Sequence, residues 1–137
     1  MDGGDRDPLI PAALLAEIYA HAREAFPAEC CGYLTGARVV RCTNVAASEP
    51  VVAGRGADTA FAIGGAELLA FANSFDGPEP ARTLYHSHTN GRAYISATDR
   101  AHAGGYPVQH LVVGVTAASI TEAALFDEGF VELARWC

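Results

Sequence analysis

A chain of 137 residues, half of them hydrophobic, is long enough to bury one core, and it calls for no second domain. Its formal net charge is −7, its positive residues are all arginine, and no basic stripe gathers them, which argues against nucleic acid as the main partner. No stretch approaches the roughly 18 uninterrupted apolar residues of a membrane span, so a soluble protein without a membrane role is expected.

Met1 to Asp7 is acidic and lacks the basic-then-apolar order of a secretory signal, so residues 1–8 read as a flexible tail ahead of a domain over 9–137 in a cytoplasmic protein. Pro11 to Phe26 is rich in Ala, Leu and Glu and carries Leu14, Ile18, Ala22 and Ala25 on one stripe, which predicts an amphipathic helix ended by Pro27. Cys30 to Thr35 and Val39 to Val45 read as two strands joined through Gly36, Ala37 and Arg38, with Glu29 at the entry. Ala46 to Asp58 is Gly-, Ala- and Ser-rich and reads as a mobile loop. Thr59 to Ile63 allows a short strand, Ala66 to Asn73 has helical spacing, and Asp76 to Pro80 is a turn.

The next segment carries the chemistry. Arg82 to Tyr85 is β-prone, so His86 and His88 fall on a strand end with both side chains on one face. After seven intervening residues, Ser96-Ala97-Thr98-Asp99 is a helix start in which Ser96 caps and Asp99 sits in the first turn, the helix ending near Gly104 and Gly105. Two imidazoles and one carboxylate leave the fourth tetrahedral position of a zinc ion open, as catalytic sites do. By itself a His-x-His pair also fits a solvated strand end, and Ser-x-x-Asp also fits a plain capping box. The chain closes with a buried strand, His110 to Val115, and two more, Ser119 to Phe126 and Phe130 to Arg135, the last with a helical alternative.

His-x-His, seven residues and Ser-x-x-Asp together resemble the core motif of the JAMM (MPN-plus) zinc metallopeptidases, and the segment Pro27 to Gly36 resembles their glutamate-bearing early strand. The resemblance implies a compact prokaryotic member with an α/β (α+β) fold, one curved mixed sheet flanked by helices. It further implies one Zn2+ per chain on His86, His88 and Asp99, with Glu29 as general base and Ser96 as oxyanion donor. The implied partner is a ubiquitin-like or sulfur-carrier protein with a C-terminal Gly-Gly tail, cut directly after Gly-Gly. Two departures fall between the ligands: Thr89 and Ile95 stand where many members have proline, which bears on the stiffness of that loop. A metal-free partner-binding scaffold and a zinc hydrolase of small amides are the alternatives, though the Pro-Cys-x-x-Cys ligands of zinc deaminases are missing.

Cys30, Cys31, Cys42 and Cys137 lack paired metal spacing and fit a reducing compartment, Cys30 and Cys31 as small strand residues. His21, His102 and His110 have no partner spacing and are expected at the surface, His102 being also within reach of a place behind the metal ligands.

Overall fold

The computed structural model describes residues 10–46 and 61–136. The tail over 1–8 and nearly all of the loop from Ala46 to Asp58 lie outside them, as do Thr59 and Cys137. Among the described residues, three helices and six strands follow one another as α1 (Ala12–Ala25), β1 (Cys31–Leu34), β2 (Val39–Cys42), α2 (Gly65–Ser74), β3 (Thr83–His88), α3 (Ala97–Ala103), β4 (Gln109–Val115), β5 (Ile120–Phe126) and β6 (Glu132–Trp136). The strands form one mixed sheet in the order β2-β1-β3-β4-β5-β6. Among these strands only β3 and β4 pair in parallel, because α3 carries the chain back between them; the other described neighbours are antiparallel.

Strand periodicity sorts the core into two faces. Tyr85 on β3 joins Leu34, Leu111, Val113 and Leu125 beneath α1, which buries Leu15, Ile18 and Ala22. Leu84, one residue away, joins Cys31, Tyr33 and Val108 on the opposite face with Phe71 of α2 and Ala103 of α3. His86 and His88 keep the parity of Leu84 and so project on the α2 and α3 side. The pair stands at the carboxyl end of β3, beside the single parallel pairing, the position where such sheets commonly hold ligands.

Several boundaries differ from the sequence reading. The buried stripe of α1 runs through Leu15 rather than Leu14, which is only partly covered, because the sheet meets the helix one residue around its circumference. β2 stops at Cys42 instead of Val45: Asn44 then engages neighbouring backbone through its side chain, accepting from the Ala46 and Ala62 N–H groups. Phe61 to Ile63 form no strand, although Val45 N–H donates to the Ala62 carbonyl. The last segment is a strand and not a helix, paired along β5.

Candidate metal centre

Glu29, His86 and His88 form a buried cluster whose ligand atoms lie within 4.8 Å of one another. The sheet register produces it. Cys31 on β1 sits directly opposite His86 on β3, so Glu29, two residues before Cys31, falls on the face that carries both histidines. The Asn44 side-chain amide donates to the Glu29 carbonyl at 2.9 Å and ties that backbone to the end of β2.

Asp99 completes the group from α3. Ser96 caps this helix: its Oγ accepts from Asp99 N–H at 3.0 Å while Asp99 Oδ2 accepts from Ser96 N–H at 2.9 Å. That reciprocal box aims the carboxylate at the sheet, with Oδ2 at 3.1 Å from His86 Nε2 and 3.0 Å from His88 Nε2. The two Nε2 atoms are themselves 3.2 Å apart. Burial alone would raise the Asp99 carboxyl, but the His86 charge, hydrogen bonds to both rings and the Ser96 N–H outweigh it and hold it well below the usual carboxylate range. Burial pushes the His86 ring below the ordinary histidine value.

A proton count tests whether a cation suits this set. His88 Nδ1 lies 3.1 Å from the Arg92 carbonyl, which can only accept, so Nδ1 carries the hydrogen and a neutral His88 presents a bare lone pair at Nε2. That lone pair faces a carboxylate oxygen and a second imidazole nitrogen. A hydrogen on His86 Nε2 can serve one of these contacts but leaves the His88 lone pair facing the Asp99 oxygen at 3.0 Å, whereas a cation among the three atoms satisfies all of them. Donation of the outer ring N–H to a backbone carbonyl is also the usual arrangement behind a ligand histidine. The donor set therefore fits a metal ion, with His86 and His88 common to either choice of third ligand, Asp99 or Glu29.

Aromatic rings enclose the pair: Phe61 stacks on His86 at 4.3 Å, and Tyr94 meets His88 edge-on at 4.6 Å. The loop after β3, from Thr89 to Ile95, is anchored without the expected prolines. Thr121 Oγ1 donates to the Gly91 carbonyl, Ala93 N–H donates to Glu122 at 2.7 Å, and Arg135 donates to the Ala93 carbonyl at 3.0 Å. Gly91 has φ +79°, and a Cβ on Gly114 of β4 would lie 2.5 Å from its carbonyl group, so glycine at both positions lets this loop lie against the sheet.

Two other histidines are not where the sequence suggested. His110 is buried, 2% exposed, on the face of the metal cluster. His21 is half-covered and its Nδ1 lies 2.6 Å from the hydroxyl of buried Tyr85. Neither has a local sequence signal; an amphipathic reading of α1 or a parallel placement of β4 could have raised the question. Cys30, Cys31 and Cys42 are free and buried, and burial pushes the thiols of Cys30 up to about 11 and of Cys42 up to about 12, which makes them inert packing groups.

Comparison with known proteins follows the same geometry. The profile of the family described as prokaryotic homologs of the JAB domain matches residues 11–126. Among solved structures, a protein from Desulfitobacterium hafniense is similar with a TM-score of 0.56 at 22% identity, over 89% of this chain and 86% of that one. A JAB1/MPN domain protein from Archaeoglobus fulgidus is similar with a TM-score of 0.53 at 15% identity, over 88% and 90%. A protein from Salinibacter ruber gives a TM-score of 0.53 at 22% identity, over 93% and 87%. At these identities the structures share the fold. No curated protein matches the sequence.

Proposed function

The chain belongs to the family of prokaryotic homologues of the JAB domain, and from that premise we propose that it is a zinc metallopeptidase, with His86, His88 and Asp99 holding the ion. The observation that carries the reading is the convergence of two Nε2 atoms and one carboxylate oxygen at 3.0–3.2 Å, with the His88 lone pair turned inward by the Arg92 carbonyl. Zinc bound there supplies Lewis acidity and brings the pKa of water to about 7.

The protein groups do the rest. Glu29 stands beside the ligands as general base, taking the proton of the attacking water and handing it to the leaving amine. Ser96 Oγ accepts from Asp99 N–H, which leaves its own hydrogen to donate to the oxyanion as the carbonyl becomes tetrahedral. Phe61 and Tyr94 wall the two histidine rings, and a tail without side chains passes such walls without clash. This supports the Gly-Gly tail of a ubiquitin-like or sulfur-carrier protein as substrate, cut after the second glycine. The three buried free thiols suit a cytoplasmic setting, and no described helix is long and apolar enough to cross a membrane.

Elemental analysis after zinc loading and desalting tests the reading. We expect about one zinc per chain in the wild type and in Glu29→Gln, and little in His86→Ala, His88→Ala or Asp99→Asn. Glu29→Gln should also lose about two to four powers of ten in turnover of a Gly-Gly-linked substrate. Wild-type protein holding no more zinc than His88→Ala would overturn the metal site, and loss of zinc from Glu29→Gln would move Glu29 from base to ligand.

A further inference from the structure

A cavity of about 520 Å³ lies beside the metal centre, lined by Asn90, Arg92, Ala93, Tyr94, Glu122 and Arg135. Tyr94 connects the two, since its ring also touches His88. The charges in this cavity are unequally matched. Glu122 accepts from Ala93 N–H at 2.7 Å and pairs with Arg135 at 3.2 Å, and Arg135 pairs again with Glu132 at 2.7 Å. Arg92 is different. Its carbonyl accepts from His88 and its N–H donates to Asn90 Oδ1 at 3.0 Å, which fixes its backbone, yet its exposed guanidinium has no hydrogen bond or ion pair among the described residues. A guanidinium in that state presents a planar fork of donors suited to a carboxylate. It lines the same cavity as Tyr94, whose ring touches His88, on a chain whose net charge of −7 discourages anions elsewhere.

A substrate tail that crosses the site brings few anions of its own. The Gly-Gly part has none, and a lysine joined through its side chain inside a folded protein has its α-carboxyl tied up in a peptide bond. Only a residue at the very end of a chain offers a free α-carboxylate directly beyond the scissile bond. At about 520 Å³ the cavity falls within the size range of small-molecule sites and has room for a residue or two.

Resting on the peptidase reading above, we propose that Arg92 binds the free α-carboxylate of the residue leaving from the substrate, with Tyr94 beside its side chain. The protein is then a carboxypeptidase-type enzyme that trims a terminal residue. Water adds across the peptide bond after Gly-Gly, the new carboxylate stays on the carrier, and the proton taken by Glu29 leaves on the amine of the freed residue. Arg92 is a specificity residue here and takes no part in bond breaking.

The test uses two decapeptides ending in Gly-Gly-Ala, one with a free carboxylate and one with a terminal amide. Zinc-loaded wild type and Arg92→Ala, each checked for equal zinc content, are compared by kcat/KM. Binding of both peptides to the Glu29→Gln protein, with and without Arg92→Ala, is measured by calorimetry. The wild type should prefer the acid by about 10- to 100-fold, the worth of a charge-assisted pair, and Arg92→Ala should bring acid and amide to within about twofold in both assays. Equal use and equal binding of acid and amide by protein with intact Arg92 would overturn the proposal, as would a preference that survives Arg92→Ala. If the acid binds selectively through Arg92 but neither peptide is cut, the carboxylate pocket stands and the peptidase reading falls.

Discussion

Acidification should weaken this fold through His110, and the size of the effect follows from where the ring sits. It is 2% exposed, its Nε2 has no hydrogen-bond partner among the described residues, and its ring packs 4.6 Å from that of Phe130. Burial, and then the nearby charge of His86, push its pKa from an ordinary 6.5 down to about 4, against smaller pulls from Asp99 and Asp127. The folded state thus keeps His110 neutral where the unfolded chain protonates it. Between pH 6.5 and 4 the unfolded chain binds more protons, so stability is intact above that window and declines as pH falls through it. At about 1.4 kcal/mol per pH unit the full penalty is about 3 kcal/mol, of which about 2 kcal/mol develops between pH 7 and pH 5. Urea denaturation with a chelator present, at pH 7 and pH 5, should show that loss in the wild type and a loss smaller by about 2 kcal/mol in His110→Leu. Equal losses in the two proteins would refute the assignment, because acid sensitivity would then reside in groups that both retain.

Gly114→Ala should lower stability by about 1–3 kcal/mol, since the added Cβ would lie 2.5 Å from the Gly91 carbonyl group and 2.9 Å from Arg92 N. It should also speed zinc loss to a chelator, because the carbonyl that orients His88 moves with that loop; an unchanged melting temperature and an unchanged zinc off-rate would count against both statements. Tyr85→Phe should cost about 1 kcal/mol in urea denaturation by removing the 2.6 Å contact of the buried hydroxyl with His21, and a neutral result would show that water serves His21 equally well.

What the sequence disclosed of the site was the part written within short spans. His86 and His88 share a face because strand side chains alternate, and Ser96 and Asp99 meet because a capping box closes within one helical turn. The placement of Glu29 needed the β1 to β3 register, a pairing across more than fifty residues that local pattern does not contain, and only the resemblance to a family singled it out. The stiffness of the loop after His88 was invisible for a related reason. Its anchors, Thr121, Glu122 and Arg135, come from β5 and β6, and they do by hydrogen bonds what proline would have done by covalent geometry. His110 looked like an isolated polar residue at a strand start, and only the position of β4 in the middle of six strands made it a buried one.

The peptide unit of Arg92 has a consequence that reaches beyond geometry. Its oxygen accepts from the ring of His88, and its side chain lines the cavity proposed for the substrate carboxylate. If zinc and peptide both act through that unit their affinities are coupled, and reciprocity fixes the form of the coupling: the factor by which zinc tightens peptide binding is the factor by which peptide tightens zinc. Where that factor exceeds one, a bound ion would be held most firmly while a substrate tail is in place and most loosely just after the trimmed residue departs. Exchange of metal would then become a property of the turnover cycle, and a non-cleavable acid-ended peptide would guard against chelation where its amide would not.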